Sequence, residues 1–595
     1  MSLKLFRNLF ILICMALQIN NSNANIISSN SISMHGSPLL GDSFFHFQHA
    51  DPESTQGGEL KLASLGTFDS TNPFIIKGRT AYGIKDLVFE PLMQRNYSEP
   101  FSLYGLIAEK VVYPENRNWI EFHINKLARF SDGVQIKSSD ILFSFEQLKN
   151  NGRPNHRSYY SKVENVNIIS DTKIKFSFSD KKDRELALIL GLMPILPQHI
   201  YKDGKFKEAK LDKPIGSGPY IVSNINQGKN ITYIKNVNYW GKNLNINNGL
   251  NNFDKISIDY YLDDNSRFEA FKSGLFDFYQ IWDPSRWNNL KNEKAVVDKK
   301  IILKEFDRET PAGMLGIALN TRNKSLNNIY TREALNIMFD FEWINKNLYH
   351  GLYKRTHGYY DNSYLSSINN QVSLFEKKIF DKFNYNIEES ILYGEPYKYN
   401  TNRRSRYKDA LDLLNRAGYE LLDNKLIDKN TLEQLTLVFL ISDKRQEKYA
   451  LNFKDSLQKI GIDLRIELVD STQYQKRKQE FDFDMVEHFW YASLSPGNEQ
   501  YFYWGSNAAN EFGSRNYSGI ESPIIDATID LLISSKSAEE FMYSVRALDR
   551  LLISGYYVVP LFHWPHQWVA ISDRIDFPEN TSIDGYKINT WSIKE

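Results

Sequence analysis

The chain of 595 residues carries 72 Lys and Arg and 72 Asp and Glu, so its formal net charge is zero. This balance gives no basic excess of the kind that nucleic acid or anionic lipid attracts. The single cysteine, Cys14, lies in the first apolar stretch, so the rest of the chain has no disulfide, catalytic thiolate or cysteine metal ligand. Aromatic residues make up 14% of the chain, which suits either a large aromatic core or exposed platforms in a ligand cleft.

The first 24 residues have the pattern of a secretory signal. Two basic residues precede an apolar stretch, and Ser22 and Ala24 give the small-x-small pattern of a cleavage site. The apolar stretch is shorter than the roughly 20 residues that a spanning helix needs, which disfavours an uncleaved anchor. The residue before Cys14 is not small, which disfavours a lipid anchor. We predict cleavage after Ala24, export to the periplasm and a soluble mature chain of net charge −2.

Helical and strand patterns alternate along the chain, which is typical of an α/β fold. Residues 172–178 alternate between polar and apolar side chains and predict a half-buried strand. Residues 245–252 are rich in Asn and Gly, which favour turns, and predict a loop. Residues 363–401 have no clear period and predict a long surface excursion.

Two helix-strand units are predicted in the carboxyl-terminal half. An apolar stripe over residues 449–460 predicts a helix that ends at Gly461. Residues 462–469 alternate as a strand directly after it. A second stripe over 541–552 predicts another helix, and residues 556–562 predict the strand that follows. Units of this kind build open sheets with helices packed on their faces.

The sequence has no motif of a common enzyme class. Ser217 lies between glycines but lacks the outer glycines of G-x-S-x-G, and neither a Walker A motif nor H-E-x-x-H occurs. Two histidine pairs, His46 with His49 and His563 with His566, have no acidic or cysteine ligand fixed beside them. We therefore predict that the protein is not an enzyme, has no cofactor and has no metal site.

Short strings recur in a fixed order from Gly57 onwards. They are GGELKLA (57–63), DSTNPF (69–74), VFEPLM (88–93), FSDGVQIKSSDILFSF (130–145), IGSGPY (215–220), YWG (239–241), EAFKSGLFDF (269–278) and TREAL (331–335). This series resembles the family-5 extracellular solute-binding proteins, the peptide and nickel receptors of bacterial ABC importers. A narrower group of strings resembles the Yej-type subgroup of peptide and peptide-antibiotic receptors. These are FEW (341–343), SLSPGNEQ (493–500), YWGS (503–506), GSRN (513–516) and YYVVP (556–560).

The resemblance implies an α/β fold of three lobes, the type II class of periplasmic binding protein. The ligand would lie between lobes I and III, which would close by hinge motion near Pro214, Pro311 and Gly555. The implied segments are lobe I at residues 25–78, 212–306 and 556–595, lobe II at 79–211, and lobe III at 307–555.

The resemblance also implies the function of a periplasmic substrate-binding component. Such a protein would capture short peptides, including murein peptides and peptide antibiotics, and deliver them as a monomer to the permease subunits of an ABC importer. It would have no nucleic acid partner. Two alternatives stay open: a receptor for nickel or another small solute, and a secreted cell-wall hydrolase.

In peptide receptors of this family the strand corresponding to residues 484–493 lines the cleft and pairs with the ligand backbone. Alternation predicts that Glu487, Phe489 and Tyr491 face one way. The family commonly has an Asp that binds the ligand ammonium where this chain has Ser493, and a hydroxyl cannot supply that charge. We expect Glu487 to replace it, with Glu499 as the next candidate, while the aromatic residues of this strand could instead be core. The predicted ligand contacts are Phe74, Glu487, Phe489, Trp490, Tyr491, Ser493, Asn498, Glu499 and Arg515.

Overall fold

The computed structural model describes residues 25–41, 43–179, 183–395 and 402–594, so the predicted signal segment with Cys14 lies outside the described residues. The strands are β1 (Ile26–Ser29), β2 (Ser31–Ser33), β3 (Glu59–Leu65), β4 (Met93–Arg95), β5 (Ser102–Gly105), β6 (Ala108–Pro114), β7 (Trp119–Ile124), β8 (Val163–Ser170), β9 (Lys173–Phe178), β10 (Tyr220–Asn226), β11 (Asn230–Lys235), β12 (Lys255–Tyr261), β13 (Phe278–Ile281), β14 (Ile301–Phe306), β15 (Met314–Leu319), β16 (Lys354–Arg355), β17 (Tyr419–Leu422), β18 (Lys425–Asp428), β19 (Thr436–Ile441), β20 (Asp463–Leu468), β21 (Met485–Trp490), β22 (Val558–Pro560), β23 (Phe562–His563), β24 (Gln567–Ser572), β25 (Ile575–Asp576) and β26 (Ser592–Ile593).

The helices are α1 (Ser138–Asn151), α2 (Pro154–Ser161), α3 (Leu186–Gly191), α4 (Gln198–Tyr201), α5 (Asp264–Lys272), α6 (Pro284–Leu290), α7 (Lys294–Val297), α8 (Lys324–Asn327), α9 (Ile329–Met338), α10 (Phe341–Leu348), α11 (Leu374–Lys382), α12 (Glu389–Leu392), α13 (Arg403–Arg416), α14 (Lys444–Gln458), α15 (Ser471–Glu480), α16 (Glu499–Trp504), α17 (Pro523–Ser534) and α18 (Ala538–Ser554). Short helical turns of other types lie between them.

The larger sheets fall into three groups, which we call lobes. Lobe I contains the sheet β10-β11-β12-β3, in which β12 and β3 are parallel, and the sheet β13-β24-β14. Lobe II contains the antiparallel sheet β1-β6-β7-β9-β8 and the small sheet β2-β5-β4. Lobe III contains the sheet β20-β19-β21-β15-β22, in which β19 is parallel to β20 and to β21. This α/β architecture has the predicted fold class.

Two lobe boundaries differ from those implied by the sequence. Strands β1 and β2 pair with β6 and β5, so the first described residues belong to lobe II and not to lobe I. Strand β22 pairs with β15, so Val558–Pro560 extends the sheet of lobe III although lobe I was expected to resume at residue 556. In both cases a short strand completes the edge of a neighbouring sheet and so satisfies backbone groups that would otherwise be unpaired.

The helix-strand unit around Gly461 matches its sequence prediction. Helix α14 begins with a capping box between Asp443 and Gln446, and its apolar stripe, including Phe453 and Leu457, is buried. Gly461 has a φ of 84°, a left-handed conformation that favours glycine, and strand β20 follows at Asp463. The predicted strand at 172–178 and the predicted helix at 541–552 are likewise present as β9 and α18.

The prediction of a surface excursion at residues 363–401 is wrong for most of its described part. Helix α11 within it packs on α18, and Ile379 and Phe380 belong to the core of lobe III. Glu376 and Arg550 form a fully buried ion pair, with 3.0 Å between Oε1 and Nε. Because this segment mixes charged and aromatic residues, its apolar face did not stand out as a helical period.

Both faces of the lobe III sheet are covered by packed side chains, which determines where a ligand can reach β21. Met485 on one face packs in a core shared with strands β13, β14 and β24 of lobe I. Val486 and Trp490 on the other face pack in a core formed with α17 and α18. The middle of β21 is therefore enclosed, and only its carboxyl end can meet a ligand.

Candidate functional site

The candidate site lies at the carboxyl end of β21. Strands β19, β20 and β21 run in parallel, so their carboxyl ends meet at one edge of the sheet, where ligands bind in open α/β sheets. Phe489 is 43% exposed, Tyr491 is 67% exposed, and their ring centroids are 6.5 Å apart. These two residues form an exposed aromatic pair on the face that strand alternation predicts.

The backbone immediately after β21 is available for further pairing. The strand pairs with β15 as far as Trp490, which lies opposite Met314. Among the described residues, the backbone N–H and C=O groups of residues 491–493 find no partner. Polar backbone groups rarely stay unpaired when a site closes, so this segment offers a ready edge for an added strand.

Trp490 lies on the opposite face from the aromatic pair. It is 2% exposed, its ring packs beside Trp504, and its Nε1 donates to the backbone oxygen of Arg515 at 3.0 Å. This burial agrees with the core interpretation of Trp490 and not with a direct ligand contact. Trp490 instead holds the loop of Arg515 against the strand.

The carboxylate of Glu487 already has partners. It accepts hydrogen bonds from the hydroxyl of Tyr449 and from Nε2 of Gln446, the latter at 2.8 Å, and both donors belong to α14. Burial raises the pKa of Glu487, and the two hydrogen bonds oppose that shift. Glu487 therefore faces α14 and is less free to bind an ammonium group than the sequence suggested.

The predicted contacts on the following loop make local hydrogen bonds. Ser493 Oγ accepts from the backbone N–H of Ser495 at 3.1 Å. Asn498 precedes helix α16 without a side-chain capping bond. The carboxylate of Glu499 accepts from the backbone N–H of Gly497 and from Nε2 of Gln500, each at 3.0 Å. This loop therefore presents Glu499 on a short, braced turn.

A second carboxylate, Glu185 of lobe II, lies beside Glu499. A Cβ atom built on Gly497 would be 3.1 Å from Oε2 of Glu185 and 3.5 Å from Oε2 of Glu499, so both carboxylates lie over this glycine. Burial, followed by the charges of Glu499 and Asp183, raises the pKa of Glu185 to about 8, while Lys162 lowers it. Two carboxylates so close together favour either a bound cation or a shared proton.

Glu185 belongs to no sequence motif. It precedes the apolar run of α3 and is more than 300 residues from Glu499, so only the contact between lobes II and III reveals its place at the site. Tyr159 of lobe II lies in the same area. Burial, together with the nearby charges of Glu185 and Glu499, raises its pKa to about 12.

Arg515 supplies the opposite charge. Its guanidinium lies 5.9 Å from the ring centroids of Phe502 and Tyr503, and its backbone N–H donates to the oxygen of Phe502 at 3.2 Å. The side chain is exposed, and within the described ranges no carboxylate lies at ion-pair distance from it. Arg515 can therefore bind an anionic group of a ligand.

Other predicted features do not meet at this edge. Phe74 is 2% exposed and packs edge-to-face on Phe89 at 5.0 Å in the core shared by lobes I and II, which does not fit a ligand contact. The predicted hinge at Pro311 lies in the crossing from β14 to β15, where Gly313 approaches the ring of Phe489. Hinge motion at Pro311, Pro214 and Gly555 stays a prediction.

Each histidine of the two predicted pairs contacts another side chain or a backbone oxygen. His49 Nδ1 lies 2.8 Å from Ser98 Oγ, and His46 Nδ1 lies 2.7 Å from the oxygen of Phe47. His563 contacts Thr356, and His566 contacts Asp307. Over the described ranges, no three or more His, Cys, Asp or Glu side chains are grouped as metal ligands would be.

The described residues include no helix with the length and apolarity needed to cross a membrane.

Relatives of known sequence cover nearly the whole chain. A putative binding protein of Brucella suis biovar 1 (strain 1330) is 40% identical over 574 residues, which are 94% of this chain and 93% of that protein. Two proteins of Agrobacterium fabrum (strain C58) are also similar. The peptidoglycan-binding protein YepA is 38% identical over 94% of both chains, and the probable peptide-binding protein YejA is 34% identical over 92% of this chain and 91% of its own.

Solved structures share the fold at low sequence identity. The oligopeptide-binding protein AppA of Bacillus subtilis, solved with a nonapeptide, matches with a TM-score of 0.63 and 18% identity over 91% of this chain and all of its own. NikA of Brucella suis, solved with Fe(III)-EDTA, matches with a TM-score of 0.70 and 16% identity over 90% of this chain and all of its own. These matches confirm the predicted fold class.

The family follows from the sequence alone as well. The model of the bacterial extracellular solute-binding proteins, family 5 (middle part), matches residues 102–512, which is more than half of the chain. Together with a relative of 40% identity over 94% of its length, this match shows that the chain belongs to the family-5 extracellular solute-binding proteins.

Proposed function

We propose that this protein is the periplasmic substrate-binding component of an ABC importer and that its cargo is a short peptide. The observation that carries the proposal is the unpaired backbone of residues 491–493 beside the exposed rings of Phe489 and Tyr491. A peptide added here as a strand would satisfy these backbone groups whatever its sequence. The rings would then cover its side chains without selecting strongly among them.

The charges around the segment suit a peptide with free termini. Arg515 is an exposed cation, and Glu185 with Glu499 forms an acidic pair at the contact of lobes II and III. Such groups can bind a carboxylate and an ammonium, and each charge-assisted hydrogen bond contributes about 1.5–3 kcal/mol. We infer that Glu499, with Glu185, replaces the Asp that peptide receptors of the family commonly have.

The relatives support the same class of cargo. The name of the Agrobacterium relative YejA describes a probable peptide-binding protein, and AppA was solved with a nonapeptide. The name of YepA describes peptidoglycan binding, which favours peptide-bearing cell-wall fragments as a second candidate. Delivery to a membrane permease, a monomeric state and export after cleavage at Ala24 belong to this proposal.

A thermal-shift screen of the mature chain tests the cargo. Ligand at a hundred-fold excess over Kd stabilises the folded state by about 2.7 kcal/mol, which shifts the Tm of a protein of this size by about 2 °C. Pools of di- to octapeptides and murein peptides should produce this shift. A peptide of the same sequence with N-methylated backbone nitrogens serves as the matched control and should bind at least ten-fold more weakly, since it cannot pair as a strand.

Two results would contradict the proposal. One is a Tm shift with nickel or a simple sugar and none with any peptide. The other is equal affinity for the plain and the N-methylated peptide, because that result would exclude strand addition at residues 491–493.

A further inference from the structure

A cavity lies between lobes I and II, away from residues 491–493. Its volume is about 560 Å³, within the range of roughly 300–1,000 Å³ that small-molecule pockets have. Its floor is apolar and consists of side chains from β3 and β12, among them Leu60, Leu62 and Ile258. The cavity is too large for a single amino-acid side chain, so the peptide site does not account for it.

Four tyrosines line this cavity. The hydroxyl of Tyr220 donates to the oxygen of Phe253 at 2.8 Å, and the hydroxyl of Tyr239 is bonded within the fold as well. By contrast, the hydroxyls of Tyr82 and Tyr97, which line the same cavity, have no hydrogen-bond partner in the described part of the chain. Tyr82 is 55% exposed and lies at the mouth.

Three side-chain amides without hydrogen-bond partners among the described residues also line the cavity. The side chains of Gln94, Asn251 and Asn589 line the cavity and form no hydrogen bond with other described residues. A primary amide carries two donors and an acceptor, so these three groups can bind a ligand edge that both donates and accepts.

Contacts along the crossing from lobe I to lobe III connect the mouth of the cavity to the peptide site. Lys587 Nζ lies 3.6 Å from the ring centroid of Tyr97 and 2.8 Å from Oδ2 of Asp584. The backbone N–H of Ile583 donates to the oxygen of Tyr97 at 2.9 Å, and the backbone N–H of Glu309, in the crossing from lobe I to lobe III, donates to the oxygen of Ile583 at 2.8 Å. Gly313, later in the same crossing, approaches the ring of Phe489. A ligand held at Tyr491 could therefore extend past Asp584 towards Tyr97.

We propose that this cavity binds a saccharide ring carried by the peptide ligand. A sugar ring has an apolar C–H face, which suits the tyrosine faces and the apolar floor, and a rim of hydroxyls, which suits the amides of Gln94, Asn251 and Asn589. A purely apolar side chain would leave those amides without partners. The inference rests on the proposed function, because it gives the peptide cargo a second, glycan part.

A matched pair of probes tests the inference. N-Acetyl-L-alanyl-D-isoglutamine (the plain dipeptide) and N-acetylmuramyl-L-alanyl-D-isoglutamine both have an acylated amine and differ in the muramic acid group, and calorimetry gives the Kd of each. We expect the sugar-bearing probe to bind wild-type protein at least ten-fold more tightly. Tyr82→Ala removes a ring at the mouth, and Leu192→Trp narrows the opening at another half-exposed lining position. Each should weaken the sugar-bearing probe about three- to ten-fold and leave the plain dipeptide unchanged.

The outcomes separate the two proposals. Equal Kd values for the two probes on wild-type protein, or equal losses for both in the Tyr82 and Leu192 variants, would overturn the saccharide site and leave peptide binding intact. Failure of wild-type protein to bind either probe or any peptide would overturn both proposals. Tyr491→Ala is the reference variant, since it should weaken both probes alike, and an unchanged Tm confirms that each variant is folded.

Discussion

The carboxylates of Glu185 and Glu499 lie over the same glycine although they belong to different lobes. Gly497 allows this approach because a Cβ atom at its position would meet Oε2 of Glu185 at 3.1 Å. The contact joins lobe II to lobe III, so its charge state affects both the stability of the folded protein and the binding of a cation there.

The first prediction concerns pH. The pKa of Glu185 is about 8 in the folded protein against an ordinary value of 4.5, so the folded state keeps a proton that the unfolded chain loses. The contribution of Glu185 to stability is therefore complete below about pH 4.5 and is lost as pH rises through about 8. Glu185→Gln should raise the Tm at pH 8 by a few degrees and leave it nearly unchanged at pH 5.

Calorimetry at pH 5, 6.5 and 8 without ligand measures this effect. Glu146→Gln, at an exposed position on α1, serves as the control and should follow the wild-type curve. Parallel curves for wild-type protein and Glu185→Gln would show that Glu185 ionises normally in the fold.

The second prediction concerns the ligand ammonium. Glu499→Gln should weaken binding of a free-amine peptide about ten-fold to a hundred-fold and its N-acetylated form far less, because only the former has the charge. Glu487→Gln should affect the two peptides equally, since Tyr449 and Gln446 already bind that carboxylate. Calorimetry on both peptides closes the double-mutant cycle. The reverse pattern would restore Glu487 as the amine partner that the sequence favoured.

The third prediction separates the two faces of β21. Tyr491→Ala should weaken peptide binding about ten-fold without changing the Tm, since the ring is mostly exposed. Trp490→Ala should lower the free energy of unfolding by about 3–5 kcal/mol, because it leaves a cavity in a closed core. Denaturant titration and calorimetry on each variant measure the two effects. A loss of affinity with unchanged stability in Trp490→Ala would return that residue to the ligand surface.

The fourth prediction concerns the buried ion pair. Glu376→Gln should destabilise the protein by about 3–5 kcal/mol, because it leaves the fully buried Arg550 without its counter-charge. Arg445→Ala removes an exposed pair with Asp443 and should cost no more than about 1 kcal/mol. Urea titration of both variants gives the comparison. Similar small losses would mean that backbone carbonyls near Arg550 suffice to hold its charge.

The sequence predicted the fold class and the main secondary-structure units because these depend on local patterns. The apolar stripe of α14 and the turn at Gly461 can be recognised from about a dozen consecutive residues. The exposed pair of Phe489 and Tyr491 followed from alternation along a single strand. The partners of Glu487 and the position of Glu185 did not, since both depend on contacts between distant segments.

Two of the family strings contact each other in the fold, which the sequence alone did not indicate. Glu90 of VFEPLM is buried and accepts hydrogen bonds from Tyr239 and from Nε1 of Trp240, the latter at 3.0 Å. Burial raises the pKa of Glu90 to about 7. The strings at 88–93 and 239–241 therefore form one polar contact in the fold, although about 150 residues separate them.

The pairing of β24 with both β13 and β14 has a consequence for the order in which the chain acquires structure. The strands of the lobe II sheet all lie before residue 179, so this sheet can form while synthesis continues. The sheet β13-β24-β14 must wait for residues 567–572, because β24 is its central strand. Lobe I is therefore incomplete until residues 567–572 have been synthesised. A chain truncated before residue 567 would lack the central strand of this sheet and, with it, Val569 and Ile571 of the core that lobes I and II share.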